Sequence, residues 1–223
     1  MQICQLNKKN NKNLIVFFTG WSFDEKPFRF LDCADFDVII VFDYNEISEL
    51  DLDLSVYEKK YLITWSMGVF VAALMMEKFK DFDYKIAING TISPVDDEFG
   101  IPVRMFELTL KHAQKGLEGK FYQNVFYDAN DYKKYENNPV QRTIENRVSE
   151  LENLYELIKS TEIGDEKFYD VALVSEFDKI IPSRNQTNCH KKSNTTVISL
   201  SNGHFPFYNY KSWKEIIELC QSI

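Results

Sequence analysis

Histidine is scarce in this 223-residue chain. There are three, and with four scattered cysteines they offer little from which to build a tetrahedral zinc site. No CxxC pair occurs, and the adjacent Cys189 and His190 direct their side chains apart rather than onto one ion. Cys4, Cys33, Cys189 and Cys220 are therefore read as reduced and mostly structural, and no metal or cofactor is expected. A positive excess is missing too. The balance of 26 Lys and Arg against 34 Asp and Glu gives a formal net charge of −8. That excludes broad attraction to nucleic acid or anionic membrane, while leaving room for a local basic patch. No apolar run approaches the ~20 residues that span a bilayer. The opening "MQICQLNKKNNKN" also lacks an apolar segment of signal-peptide type, so a cytoplasmic location is expected.

What the chain does have is apolar residues, 44% of the total, enough to bury a core without disulfides. They fall in short runs rich in Val, Ile and Phe: "NLIVFFTGW", "FDVIIVFDY", "YLITW", "YKIAING", "YDVALVSEF" and "TTVISLSNG". Most are continuous rather than alternating, as in strands covered on both faces. "QICQL", followed by a polar stretch, suggests an N-terminal edge hairpin. Helical segments lie between the runs, including "SMGVFVAALMMEKFKDF" and an amphipathic closing helix over Lys211–Ile223. The alternation predicts an α/β fold with a mostly parallel, doubly wound sheet. From Asp96 to Lys167 no buried strand is evident; two helical stretches flank the polar "YDANDYKKYENN". The expected organisation is thus a core of residues 1–95 and 168–223 with a helical cap, 96–167, inserted before the last two strands at the edge where such sheets bind ligands.

"YLITWSMGVF" places Ser66 between a strand and a helix, the order a nucleophile elbow needs. The usual motif is G-x-S-x-G, and here Thr64 replaces the first glycine. The Met67 amide, at the helix N-terminus, would face a developing oxyanion, and the Trp21 amide in "TGW" would supply the second donor. A serine also needs a base oriented by a third group. His204, after the last strand in "VISLSNGH", sits where this architecture requires it; His112 falls in the cap and His190 in a polar stretch before the last strand. The acid belongs at the end of the preceding strand, where "VSEFDKIIP" offers Asp178, with Glu176 as competitor. Each is an ordinary residue alone; together they stand in hydrolase order.

With those residues placed, the sequence resembles the α/β-hydrolase superfamily. More narrowly, it is similar to the BioG-type esterases that remove a methyl ester from pimeloyl-acyl carrier protein in biotin synthesis. "FFTGW", "VFDYNE", "TWSMGVFVA", "INGTISPVDDEFGIP" and "SNGHFPF" carry the likeness. It implies a serine esterase with Ser66 as nucleophile, His204 as base and Asp178 orienting it, and a residue two before the serine that need not be glycine. It also implies a cap that admits an acyl chain and touches the carrier protein. For the acidic carrier the cap offers Lys111 and Lys115, one turn apart on a helix, and Arg142 and Arg147, though Glu118, Glu145, Glu150 and Glu152 are interspersed. Phe106, Leu110, Phe121 and Phe126 would line an acyl tunnel or pack the cap down. A thioesterase or general short-chain esterase with the same triad, or a non-catalytic acyl-binding protein, are the alternatives.

Overall fold

A computed structural model describes every residue except Glu118, Asp165 and Ile223; the acidic Glu118 and the last residue of the expected closing helix therefore lie outside the described residues. The six apolar runs become parallel strands: β2 (Asn13–Phe18), β3 (Phe36–Phe42), β4 (Lys59–Trp65), β5 (Tyr84–Ile88), β6 (Val171–Ser175) and β7 (Thr196–Leu200). Every residue of β3 and β6 is buried, which is why these runs do not alternate. β1 (Gln2–Asn7) makes the edge of a seven-stranded sheet ordered β1-β3-β2-β4-β5-β6-β7.

The expected N-terminal hairpin is corrected. β1 is an edge strand, but it runs antiparallel to β3 rather than pairing with the next strand, because β2 lies inside the sheet between β3 and β4. The helix after Ser66 is also shorter than its composition suggests: α1 spans Met67–Leu74 and gives way to a 3-10 turn over Met76–Phe79.

Among the described residues, five helices separate β5 from β6: α2 (Val103–Lys111), α3 (Ala113–Leu117), α4 (Lys120–Val125), α5 (Ala129–Glu136) and α6 (Ile144–Ser160). α5 arises in the polar stretch expected to be a spacer. The Asp128 side chain accepts from the Asn130 and Asp131 amides and starts the helix, and Tyr135 buries its one anchoring face against Tyr122 and Phe126. α7 (Ser183–Lys192) follows β6, and α8 (Trp213–Gln221) closes the chain with Trp213, Ile216, Ile217 and Cys220 buried. Phe17, Phe28, Trp65, Phe205, Phe207 and Trp213 form an aromatic cluster beneath the loops that follow β4 and β7, so those loops stand on rigid support. Among the described residues, no helix is long and apolar enough to cross a membrane.

Candidate active site

Ser66 follows β4 directly and precedes α1. Its amide continues the sheet by donating to Ile88 O at 3.0 Å, while its backbone turns at φ 56°, ψ −125°, a conformation disfavoured for a residue with a β-carbon. Two close approaches make the turn. A β-carbon on Gly68 would lie 2.4 Å from Thr19 O, so only glycine lets α1 sit this near the end of β2. A β-carbon on Gly20 would lie 2.9 Å from the Ser66 β-carbon, which puts the turn after β2 against the serine. Thr64 is accommodated within the sheet, its hydroxyl donating to Ile86 O at 3.1 Å.

Three loop ends bring Ser66, His204 and Asp178 together. His204 Nε2 is 2.9 Å from Ser66 Oγ, and His204 Nδ1 is 2.8 Å from Asp178 Oδ2. An ionised carboxylate only accepts, so Nδ1 donates to Asp178 and Nε2 is left to accept from the serine hydroxyl. The Asp178 carboxylate is closed off from solvent. Its Oδ1 accepts from the Ile180 and Ile181 amides at 2.8 and 2.9 Å, and its Oδ2 from Gln186 Nε2 at 2.8 Å. Glu176 points elsewhere, to the Ser199 and Ser201 hydroxyls. The histidine loop is held by its own carbonyl, which accepts from Trp65 Nε1 at 2.7 Å and Asn89 Nδ2 at 2.9 Å.

Sequence pattern does not single out Gln186 or Asn89. Gln186 lies in a polar stretch with no apolar pattern. Asn89 carries one signal, a polar residue directly after the run "YKIAI", and the structure gives it a left-handed backbone (φ 43°) and bonds to β6 and the histidine loop.

As the first residue of α1, Met67 has an amide without an intrahelical acceptor, at the positive end of the helix. Trp21 lies in the turn beside the serine, its indole donating to Arg147 O at 2.7 Å. Both Trp21 and Met67 line a cavity of ≈ 230 Å³ that reaches Ser66 and His204. The remaining wall is largely apolar, with Met105, Phe106, Leu117, Phe121 and Leu151, and the exposed His112, Asn124 and Lys179 stand on its lining. Phe106 also stacks on Tyr155. Leu110 and Phe126 are not on the cavity wall; Phe126 packs on Phe205 and Tyr135.

Two expectations about the basic residues are corrected. Lys111 and Lys115 are exposed but do not share one helix, because the backbone breaks at His112 between α2 and α3. Arg142 and Arg147 do not face outward as a docking surface. The Arg142 side chain is 6% exposed, with Nη1 2.8 Å from Glu150 Oε2 and Nη2 3.1 Å from Asp43 Oδ1, the latter an ion pair too bent for a hydrogen bond. Arg147 is buried against the Tyr122 hydroxyl. For Arg142 the reason is Glu150: this fully buried carboxylate, its pKa raised by desolvation against the opposing pull of Arg142, draws the Arg142 guanidinium inward.

A serine on a strained strand-to-helix turn, linked through histidine to a carboxylate at the C-terminal edge of a mostly parallel sheet, defines an α/β hydrolase. The family is narrower. The model of the family described as pimeloyl-ACP methyl esterase BioG matches residues 1–216, and the chain belongs to that family, a carboxylic ester hydrolase of the biotin-synthesis type. Its fold matches the crystal structure of BioG from Haemophilus influenzae with a TM-score of 0.87 at 28% identity, over 96% of this chain and 99% of that one. A lipase-esterase related protein from Clostridium acetobutylicum shares the fold at 16% identity, TM-score 0.66, over 99% and 98% of the two chains. A Bacteroides fragilis protein named malonyl-[acyl-carrier protein] O-methyltransferase is 31% identical over 199 residues, 87% of this chain; the chain spans 40% of that relative's length.

Proposed function

We propose that the chain hydrolyses the methyl ester of pimeloyl-acyl carrier protein methyl ester, releasing methanol and the free acid on the carrier. Ser66 Oγ attacks the ester carbonyl as His204 takes its proton. The Trp21 and Met67 amides hold the oxyanion. Methanol leaves with the proton from His204, and water, deprotonated in turn by His204, frees the acid from the serine. Asp178 keeps the imidazole in the tautomer this requires. The hydrogen-bonded chain from Ser66 to Asp178, opening into an apolar cavity, is the observation that supports this reading most directly.

Residues 96–167 act as the cap, and the acyl chain lies along the wall built by Phe106, Leu117, Phe121 and Leu151. The carrier supplies the remaining specificity. The family description and the methyltransferase's name both point to an acyl carrier protein. From that relative only the carrier is taken over, not methyl transfer, since the match spans 40% of it. An acidic carrier needs a basic surface on this acidic chain, and exposed Lys111 and Lys115 provide it on the helices whose Met105 and Ala113 reach the cavity.

The test is complementation of a strain lacking the pimeloyl methyl-ester esterase step, together with competition between methyl-ester and thioester forms of one carrier-bound substrate. Wild type should restore growth and cleave the methyl ester, and Ser66→Ala should do neither. Preferential thioester cleavage would replace the esterase reading with a thioesterase one.

A further inference from the structure

Beyond Thr19, whose amide still donates to Val41 O of the sheet, the Trp21 indole and the Ser22 amide and hydroxyl are held from the helical layer. Ser22, the next residue, adopts a left-handed backbone (φ 70°) that a side chain disfavours, so something must retain it there. Its amide donates to Glu150 Oε2 at 3.0 Å, and its hydroxyl lies 3.1 Å from the Tyr122 hydroxyl. The other carboxylate oxygen, Glu150 Oε1, accepts from the Tyr44 amide at 2.8 Å, just after Asp43, which is left-handed as well (φ 60°). One carboxylate on α6 thus takes the amide of one left-handed residue, Ser22, and the amide that follows another, Asp43, beyond the ends of the neighbouring strands β2 and β3. Arg142 balances its charge, and the Arg147 carbonyl grips the Trp21 indole one turn earlier on α6.

Glu150 itself does not line the cavity, so it touches no substrate. We infer that Glu150 is a positioning residue: it sets the direction of the Trp21 amide through Ser22, so that helix α6 and the oxyanion donor act as one unit. This rests on the proposed role of Trp21 as an oxyanion donor. A donor contributes to the rate only while it is aimed where negative charge develops, and removing one costs about 10²–10³ in kcat. A turn released from Glu150 loses part of that aim while the acyl-binding wall is untouched.

Glu150→Gln keeps the volume but turns an amide NH₂ toward one of the three donors that the carboxylate accepts. The expected result is a kcat about 10- to 100-fold lower with KM within about threefold. A trifluoromethyl ketone, which forms an oxyanion on the serine, should bind weaker by the same factor as kcat, while the product acid should bind as before. A merely structural carboxylate would lower the unfolding midpoint without separating those two ligands. Should Glu150→Gln not fold, Tyr122→Phe removes the second hold on Ser22 and should shift the same ratio by a smaller factor. A folded variant with unchanged kcat and an unchanged ketone-to-acid ratio overturns the inference. Wild-type protein that neither turns over ester nor labels with a fluorophosphonate at Ser66 would instead overturn the esterase reading, and this inference with it.

Discussion

The basic pairs Lys111–Lys115 and Arg142–Arg147 belong to the same run of helices above the same sheet edge, yet the fold treats them oppositely. The lysines on α2 and α3 extend into solvent beside a cavity whose wall is made of apolar contacts. Both arginines turn inward around α6. Arg142 donates to Asn146, the Phe23 carbonyl and Glu150, three acceptors that suit the planar fork of a guanidinium and that a lysine ammonium would not match, and it forms an ion pair with Asp43. The helical segment therefore has an anchored part, α6, continuous through Glu150 with the turns after β2 and β3, and a freer part, α2–α3. Anchored residues should fail in powers of ten of rate or in kcal/mol of stability. Free ones should fail only in what they recognise.

The largest effect is expected at the anchored centre. Ser66→Ala should lower ester hydrolysis by at least ~10³-fold, leaving what the oxyanion donors and binding supply, with circular dichroism and the melting temperature showing a folded protein. Activity within tenfold of wild type would break the mechanism. Next, Arg142→Ala strips Glu150 and Asp43 of their cation inside the protein. Leaving a buried charge uncompensated costs about 3–5 kcal/mol, to be read from urea unfolding. A loss below about 1 kcal/mol would mean that this arginine behaves like the exposed lysines, and the contrast between the two parts would collapse.

How far the sequence shows this contrast depends on the kind of evidence each part offers. The strands are legible because parallel strands covered on both faces must be apolar throughout, and "FDVIIVF" admits few other readings. Ser66, Asp178 and His204 are legible because each must follow a particular strand, so order along the chain substitutes for distance. α6 offers no such rule. Glu145, Glu150 and Glu152 look alike on a helix, and only the tertiary structure makes Glu150 buried and the others not. Once that carboxylate is inside, Arg142 follows it, while Arg147 turns in toward the Tyr122 hydroxyl and the Thr143 carbonyl. Gln186 and Asn89 are missed for a related reason: their partners are loops distant in sequence, and a polar residue near a strand end has many ordinary explanations. Helix α5 is missed because its single N-cap and one buried tyrosine outweigh a composition that favours solvent.

A pH dependence probes the anchored region from below. His190 is buried on α7, and its Nε2 donates to Gly90 O at 2.8 Å; a β-carbon on Gly90 would in turn lie 2.3 Å from Ser66 O. Desolvation lowers its pKa from 6.5 to about 4. Between those values the unfolded chain binds a proton that the folded chain refuses. Stability from this residue is therefore complete above pH 6.5 and declines as pH falls toward 4, by at most ~3 kcal/mol. His190→Gln keeps a donor for Gly90 O but does not titrate. It should lose less stability than wild type between pH 7 and pH 4, measured by urea unfolding at each pH. Parallel curves for the two proteins would show that His190 is not part of the anchored support.

The smallest effect separates recognition from support. Lys111→Ala/Lys115→Ala removes two exposed charges whose side chains hold no buried group, so unfolding free energy should move by no more than about 0.5 kcal/mol. For the carrier-bound ester, however, the pair should matter through long-range attraction to an acidic partner. The expected loss in kcat/KM is several-fold at low salt, carried mostly by KM, and it should shrink as ionic strength rises and the Debye length falls to ~8 Å and below. Arg142→Ala should show the reverse signature, a stability loss and a kcat effect with little dependence on salt, because its charge meets carboxylates away from water. If salt removes the arginine effect and spares the lysine effect, the division is assigned the wrong way round, and α6 rather than α2–α3 would be the surface that meets the carrier.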